Sequence, residues 1–172
     1  SDDAKWKSGA FKHANDQIDA LEKMIAANAD KISLAKSSGD IDAILKTGKI
    51  VALIGVEGGN MIEGSVDHLV RLHERGAKYL TLTWNYNLPW ASCAAMESGD
   101  MRSKDKGLTA QGRAIIRKMN ELGMMIDLSH GGEQTFYDVL SITTKPILVS
   151  HSNAYGLCPH FRNLKDEQLE AL

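Results

Sequence analysis

Two kinds of hydrophobic pattern alternate along the chain. Over residues 11–27 the apolar positions Ile18, Leu21 and Ile25 recur at three and four residues, which predicts a helix with one buried stripe. A shorter helix is predicted after Ser38-Gly39, carrying Ile41, Ile44 and Leu45 and closing near Gly48. Residues 49–56 are then almost continuously apolar and β-branched, as in a strand buried on both faces, and the run stops at Glu57-Gly58-Gly59. The cycle repeats with a helix over 65–75, ended by Gly76, and a strand over 78–83. After a long polar loop over 84–109, Ile115, Ile116, Met119 and Leu122 mark a helix that ends at Gly123, followed by a strand over 124–129. A helix over 136–140, a strand over 147–150 entered through Lys145-Pro146, and the start of a helix over 164–172 complete the chain. About four strands alternating with helices predict an α/β class with a parallel sheet.

Composition narrows the partners. The 172 residues carry a formal charge of −2, so there is no basic stripe to neutralise a row of phosphates, and nucleic acid is not expected. No apolar run reaches the length of a membrane span. Residues 1–7 are polar and lack the apolar core of a secretory signal. The two cysteines, Cys93 and Cys158, are too few and too far apart for a disulfide framework or a CxxC site, and read as structural thiols.

In parallel α/β architectures reactive groups gather beyond the carboxyl ends of the strands. Three of these strands end at a residue able to bind a metal: Glu57 after Val56, His130 after Ser129, and His151 after Ser150. Because the strands run in parallel, all three face one rim, and a carboxylate with two imidazoles suits zinc while leaving a coordination position open. Taken singly, each histidine reads as a hydrogen-bonding residue and Glu57 as a carboxylate at a helix start. His13, His68 and His73 read as solvated helix positions, and His160 carries no comparable placement. Gly58 and Gly59 read as a sharp turn where a side chain would obstruct a ligand; there is no GxGxxG and no phosphate-binding lysine. Strand alternation would point Ser129 away from His130 and Ser150 away from His151, which argues against serine-nucleophile chemistry. Asp127 could orient a metal ligand, but the same alternation turns it away from His130 and favours a structural role.

Five segments carry a family likeness: Gly55-Val56-Glu57-Gly58-Gly59, Tyr79-Leu80-Thr81-Leu82-Thr83, Gly107-Leu108-Thr109, Ile126-Asp127-Leu128-Ser129-His130 and Ser150-His151-Ser152-Asn153-Ala154-Tyr155. In order and spacing the chain resembles the membrane (renal) dipeptidase family. The resemblance implies a (β/α)8 TIM-type barrel with a two-zinc centre that hydrolyses dipeptides, some members accepting a D-configured or dehydro residue on the C-terminal side. By the same resemblance Glu57 bridges both metals, His130 and His151 serve one of them, and Arg162 grips the substrate carboxylate, a task suited to a planar guanidinium. It also implies work outside the cytoplasm, and it matches Cys158 to a cysteine that is paired in some members.

Two departures from the family pattern stand out. Where well-known members place a histidine after the Leu-Thr-Leu-Thr strand, this chain has Trp84, as in a bacterial-like subgroup; an indole can wall a substrate pocket and donate one N–H but cannot be protonated. A whole barrel needs about 250 residues and eight strands, so the chain is expected to be one incomplete segment, residues 1–172. The His-x-Asp pair of the first strand would then precede Ser1, and the aspartate that moves the proton would lie outside the chain. Such a segment is expected to hold at most one well-liganded zinc, to show little or no dipeptidase activity alone, and to pair through its open sheet edges with a second copy or a complementary segment. The alternatives are a non-catalytic metal- or peptide-binding segment and another amide hydrolase of the same barrel class.

Overall fold

The computed structural model describes residues 9–98 and 106–172; the polar start at residues 1–7 and part of the 84–109 loop lie outside the described residues. The chain runs α1 (Ala10–Ala27), β1 (Ile32–Leu34), α2 (Ser38–Leu45), β2 (Ile50–Ala52), β3 (Ile54–Glu57), α3 (Val66–Glu74), β4 (Ala77–Thr81), α4 (Ala94–Ser98), α5 (Ala110–Leu122), β5 (Met125–Asp127), α6 (Glu133–Leu140), β6 (Ile147–Leu148) and α7 (Asp166–Glu170). Strands β3, β4, β5 and β6 form a parallel sheet in that order, and β1 pairs with β2 in a separate parallel ribbon. The parallel α/β class and the four strands of the main sheet agree with the sequence pattern.

Local chemistry explains the helix boundaries. Ser65 Oγ accepts from His68 N at 3.3 Å and Thr109 Oγ1 from Gly112 N at 3.3 Å, each capping one of the unpaired amides at a helix start. At the end of α5, Gly123 turns left-handed with φ 67°, which a residue with a Cβ adopts only at a cost. The start of α1 is capped from afar: Glu63 Oε1 accepts from Gly9 N at 2.9 Å and Phe11 N at 3.2 Å. Arg75, just after α3, ties the same helix down through Asp19 Oδ1 at 2.6 Å and Glu22 Oε2 at 2.8 Å.

Between the sheet and its helices, the inward stripe of α3 (Leu69, Leu72) and that of α5 (Ile115, Ile116, Met119) meet Leu80 and Leu82 in a core closed by Trp90 and Phe136. All of these are essentially inaccessible, which makes this packing the main stabilising contribution.

Several expectations need correction. The run over 49–56 is two strands broken at Leu53, and it is not buried on both faces: Ile50 and Leu53 are exposed, while β3 alternates buried Ile54 and Val56 with exposed Gly55 and Glu57. Strand β1 and helix α4 went unpredicted, because three polar-flanked residues and a five-residue turn of helix carry little periodicity. His68 is not solvated: its ring stacks on Phe11 at 3.8 Å and its Nδ1 lies 3.1 Å from Ile62 O. His73 is half-buried, which lowers its pKa, with Lys78 acting in the same direction. Both cysteines are free; Cys93 is buried, but Cys158 is exposed.

Candidate metal centre

The four parallel strands end in one register row, Glu57 beside Thr81, Thr81 beside Asp127, and Asp127 beside Leu148. Backbone pairing continues a little further, through Gly58 N to Thr81 O at 3.1 Å, Leu82 N to Asp127 O at 3.2 Å and Leu128 N to Leu148 O at 2.8 Å. The chain therefore reaches His130 and His151 from firmly held strand ends.

Glu57, His130 and His151 converge as the strand-end pattern predicts. His130 Nε2 lies 3.3 Å and His151 Nε2 3.4 Å from the same oxygen, Glu57 Oε1, and the three potential ligand atoms all lie within 4.8 Å of one another. Two donors each about 2.0–2.1 Å from a tetrahedral ion stand about 3.3 Å apart. The two imidazole-to-carboxylate spacings therefore suit a shared cation. His130 is the buried member, 5% exposed, whereas His151 and Glu57 open to solvent at 45% and 51%.

Backbone strain helps to place His130. Its φ of 68° makes it one of two non-glycine residues in the left-handed region among those described, a conformation that costs about 1–2 kcal/mol and persists only where its surroundings impose it. Here Ala94 N donates to His130 O at 2.8 Å and Gly131 N closes a turn onto Leu128 O at 3.0 Å. Burial, then the charges of Arg162 and His151, push the His130 pKa down to about 4 against the opposing pull of Glu57. The imidazole is thus neutral near pH 7, as a metal ligand must be.

Each imidazole is held through its other nitrogen. His130 Nδ1 lies 3.0 Å from Asn85 Oδ1. His151 Nδ1 lies 2.7 Å from Ser150 Oγ, which donates to Asp127 Oδ2 at 2.7 Å. The expectation that alternation separates Ser150 from His151 fails here because β6 ends at Leu148 and the chain has already turned.

Asp127 is fully buried and takes Thr81 Oγ1 at 2.6 Å together with the amides of Ser129 at 3.1 Å and Ser150 at 3.0 Å. Burial alone would raise its pKa, but these donors and the Ser150 hydroxyl outweigh burial and leave it below the usual carboxylate range. Asn85 escaped sequence reasoning, its only signal being adjacency to Trp84, and Ser150 was set aside there on strand alternation.

Trp84 and Arg162 flank the centre. The Trp84 ring, 47% exposed, lies 6.1 Å from the His130 ring and tilted by 31°. Arg162 has a buried Nε with no hydrogen-bond partner among the described residues, a donor a bound ligand could satisfy. Burial lowers its pKa, opposed by Glu57, Asp127 and Cys93. It lines a cleft of about 440 Å³ shared with Leu128 and Gly131, which flank His130, and with Ser152, next to His151. His160 supports it, its Nδ1 accepting from Arg162 N at 3.2 Å.

Gly59 proves to be a packing requirement, not a clearance for ligand. A Cβ there would collide with the Leu82 carbonyl oxygen and the Trp90 ring.

A parallel α/β segment that gathers a carboxylate and two imidazoles at its strand ends, beside a guanidinium whose Nε is unpaired among the described residues, is of the barrel metallohydrolase class. Residues 2–172 match the family described as "Membrane dipeptidase (Peptidase family M19)", and the chain belongs to that family. It is 37% identical over 158 residues to the uncharacterized dipeptidase C965.12 of Schizosaccharomyces pombe, covering 91% of this chain and 38% of that protein. Among solved structures it resembles an amidohydrolase from Pseudomonas aeruginosa (29% identity, TM-score 0.82, 91% of this chain and 46% of that one). It also resembles a metallopeptidase from Rhodobacter sphaeroides liganded with a phosphinate mimic of the dipeptide L-Ala-D-Ala (26% identity, TM-score 0.77, 88% and 43%). The chain thus spans less than half the length of these relatives, and the fold class is a portion of their barrel.

Proposed function

We propose that this chain supplies the metal-binding and carboxylate-binding parts of a zinc-dependent dipeptidase with a two-metal centre. The observation that carries the reading is the approach of two imidazole Nε2 atoms to one Glu57 oxygen at 3.3 and 3.4 Å. Zinc bound there would polarise the scissile carbonyl and lower the pKa of a water toward neutrality. Glu57 would be the residue shared by both metals, and a second zinc would need donors beyond these three residues. His130, neutral through burial, offers its lone pair without first releasing a proton.

Arg162 holds the free carboxylate of the substrate. Its unpaired Nε and the cleft beside it support that role, as does the dipeptide mimic bound by the Rhodobacter sphaeroides relative. Such a contact restricts the site to dipeptides, because a longer chain puts a neutral amide where the guanidinium needs a charge. Trp84, its ring 6.1 Å from that of His130, would form a wall for bound substrate. The proton-moving aspartate is placed outside these residues. By family likeness the intact protein works outside the cytoplasm; no helix among the described residues is long and apolar enough to cross a membrane.

The test is zinc stoichiometry together with turnover of a simple dipeptide. The 172-residue chain binds one zinc per molecule with little or no turnover, and Glu57→Gln abolishes tight binding. A chain that binds no zinc overturns the metal reading. Intact-enzyme turnover by the purified chain overturns the reading of it as a segment.

A further inference from the structure

The cleft beside the metal centre carries more positive charge than a single carboxylate uses. Among the described residues that line it, Lys106, Arg162 and Lys165 are cationic, and Glu97 and Glu133 are acidic. Lys165 and Glu133 satisfy each other, Nζ to Oε2 at 2.7 Å. Glu97 is committed to the protein: its carboxylate accepts from Ser92 Oγ and, at 3.1 Å, from Gln134 N in the first turn of α6. It lies so close to the start of that helix that a Cβ on Gly132 would collide with it, and the positive end of the helix offsets its charge. Arg162 and Lys106 are left without an ion pair among the described residues.

A carboxylate held by Arg162 fixes what lies next to it. In a dipeptide the C-terminal carboxylate and the C-terminal side chain branch from the same α-carbon, so that side chain enters the cleft that Arg162 lines. At about 440 Å³ the cleft has room for it. The cation left to meet it there is Lys106, whose flexible stem and rotatable donors let the ammonium follow a carboxylate.

We infer that Lys106 is a specificity-determining residue that binds the side-chain carboxylate of the substrate's C-terminal residue, so that the site favours dipeptides ending in aspartate or glutamate. The inference deepens the dipeptidase reading and rests on the role of Arg162 within it. Because Lys106 is exposed, the gain is that of a solvent-screened pair, roughly 2–5-fold in affinity.

The test compares L-Ala-L-Glu with its neutral isostere L-Ala-L-Gln, titrated into the zinc-supplemented chain and followed by nuclear magnetic resonance. The parent binds L-Ala-L-Glu roughly 2–5-fold more tightly in about 0.02 M salt, and the preference shrinks toward unity in about 0.5 M salt. Lys106→Gln removes the preference and leaves the affinity for L-Ala-L-Gln unchanged, a pattern that a merely structural lysine would not give. Lys106→Glu turns the preference against L-Ala-L-Glu, and Arg162→Gln weakens both dipeptides alike. A parent without the preference, or a Lys106→Gln variant that keeps it, overturns the inference and leaves the dipeptidase reading intact. Binding that ignores Arg162→Gln sinks the carboxylate role of Arg162 and the inference with it. A parent that binds neither dipeptide overturns both.

Discussion

Lowering the pH from 7 to 4.5 should destabilise the metal-free chain through His130. Its imidazole titrates at about 4 when folded because of burial, the Arg162 charge and His151, against 6.5 when unfolded. Between these values the unfolded chain binds more protons than the folded one, so stability rises with pH across that window and is lost as pH falls from 6.5 toward 4. At about 1.4 kcal/mol per pH unit the loss between pH 7 and pH 4.5 is about 2–3 kcal/mol. That is a large share of a typical 5–15 kcal/mol, and it moves a urea midpoint down by about 1 M. The half-buried His73, also depressed by burial, adds in the same direction. Asp127 acts in a different window: its stabilisation is complete above the ordinary carboxylate value and fades only as pH falls through its lowered folded pKa. Urea unfolding at pH 7 and 4.5, with a histidine C–H titration of the folded chain, measures both quantities. An immobile midpoint, or a His130 ring that titrates at or above 6.5, refutes the reasoning.

Three further outcomes are expected. Gly59→Ala forces a methyl against the Leu82 carbonyl oxygen and Trp90; it costs ~1–3 kcal/mol and lowers Tm by roughly 2–4 °C per kcal/mol, as calorimetry would show. Thr83→Val removes a buried hydroxyl without a hydrogen-bond partner among the described residues; chemical denaturation should find the variant at least as stable as the parent, by up to ~1 kcal/mol. Zinc at a hundred times its Kd should add ~2.7 kcal/mol to unfolding stability, an increment that EDTA removes and that Glu57→Gln lacks.

The parts legible in the sequence are those in which one residue type is tied to one backbone event. The apolar runs give way at Glu57, Ser129-His130 and Ser150-His151 because parallel strands end at or just before these positions, which brings the three side chains to one rim. Period-2 reasoning failed just beyond, since β6 is two residues long and Ser150 is already in a turn. The partnership of Asp127, Ser150 and His151 could not be seen in a pattern that assumes continuing alternation. Asn85 was invisible for another reason: its contact to His130 spans 45 residues, and a loop residue announces no long-range partner. The exposure of Ile50 and Leu53 shows the converse limit, because hydrophobicity reports the tendency to be covered and not what does the covering.

The order of the main sheet governs when the centre comes into being. Neighbours in this sheet are also neighbours in the order of strands along the chain, each pair joined by a crossover. Glu57 is in place at the first of these strands, His130 follows the third, and His151 emerges only after the last. The three side chains therefore share one rim only when all four strands are paired, and a disturbance of any one strand pairing is felt at the cation's position.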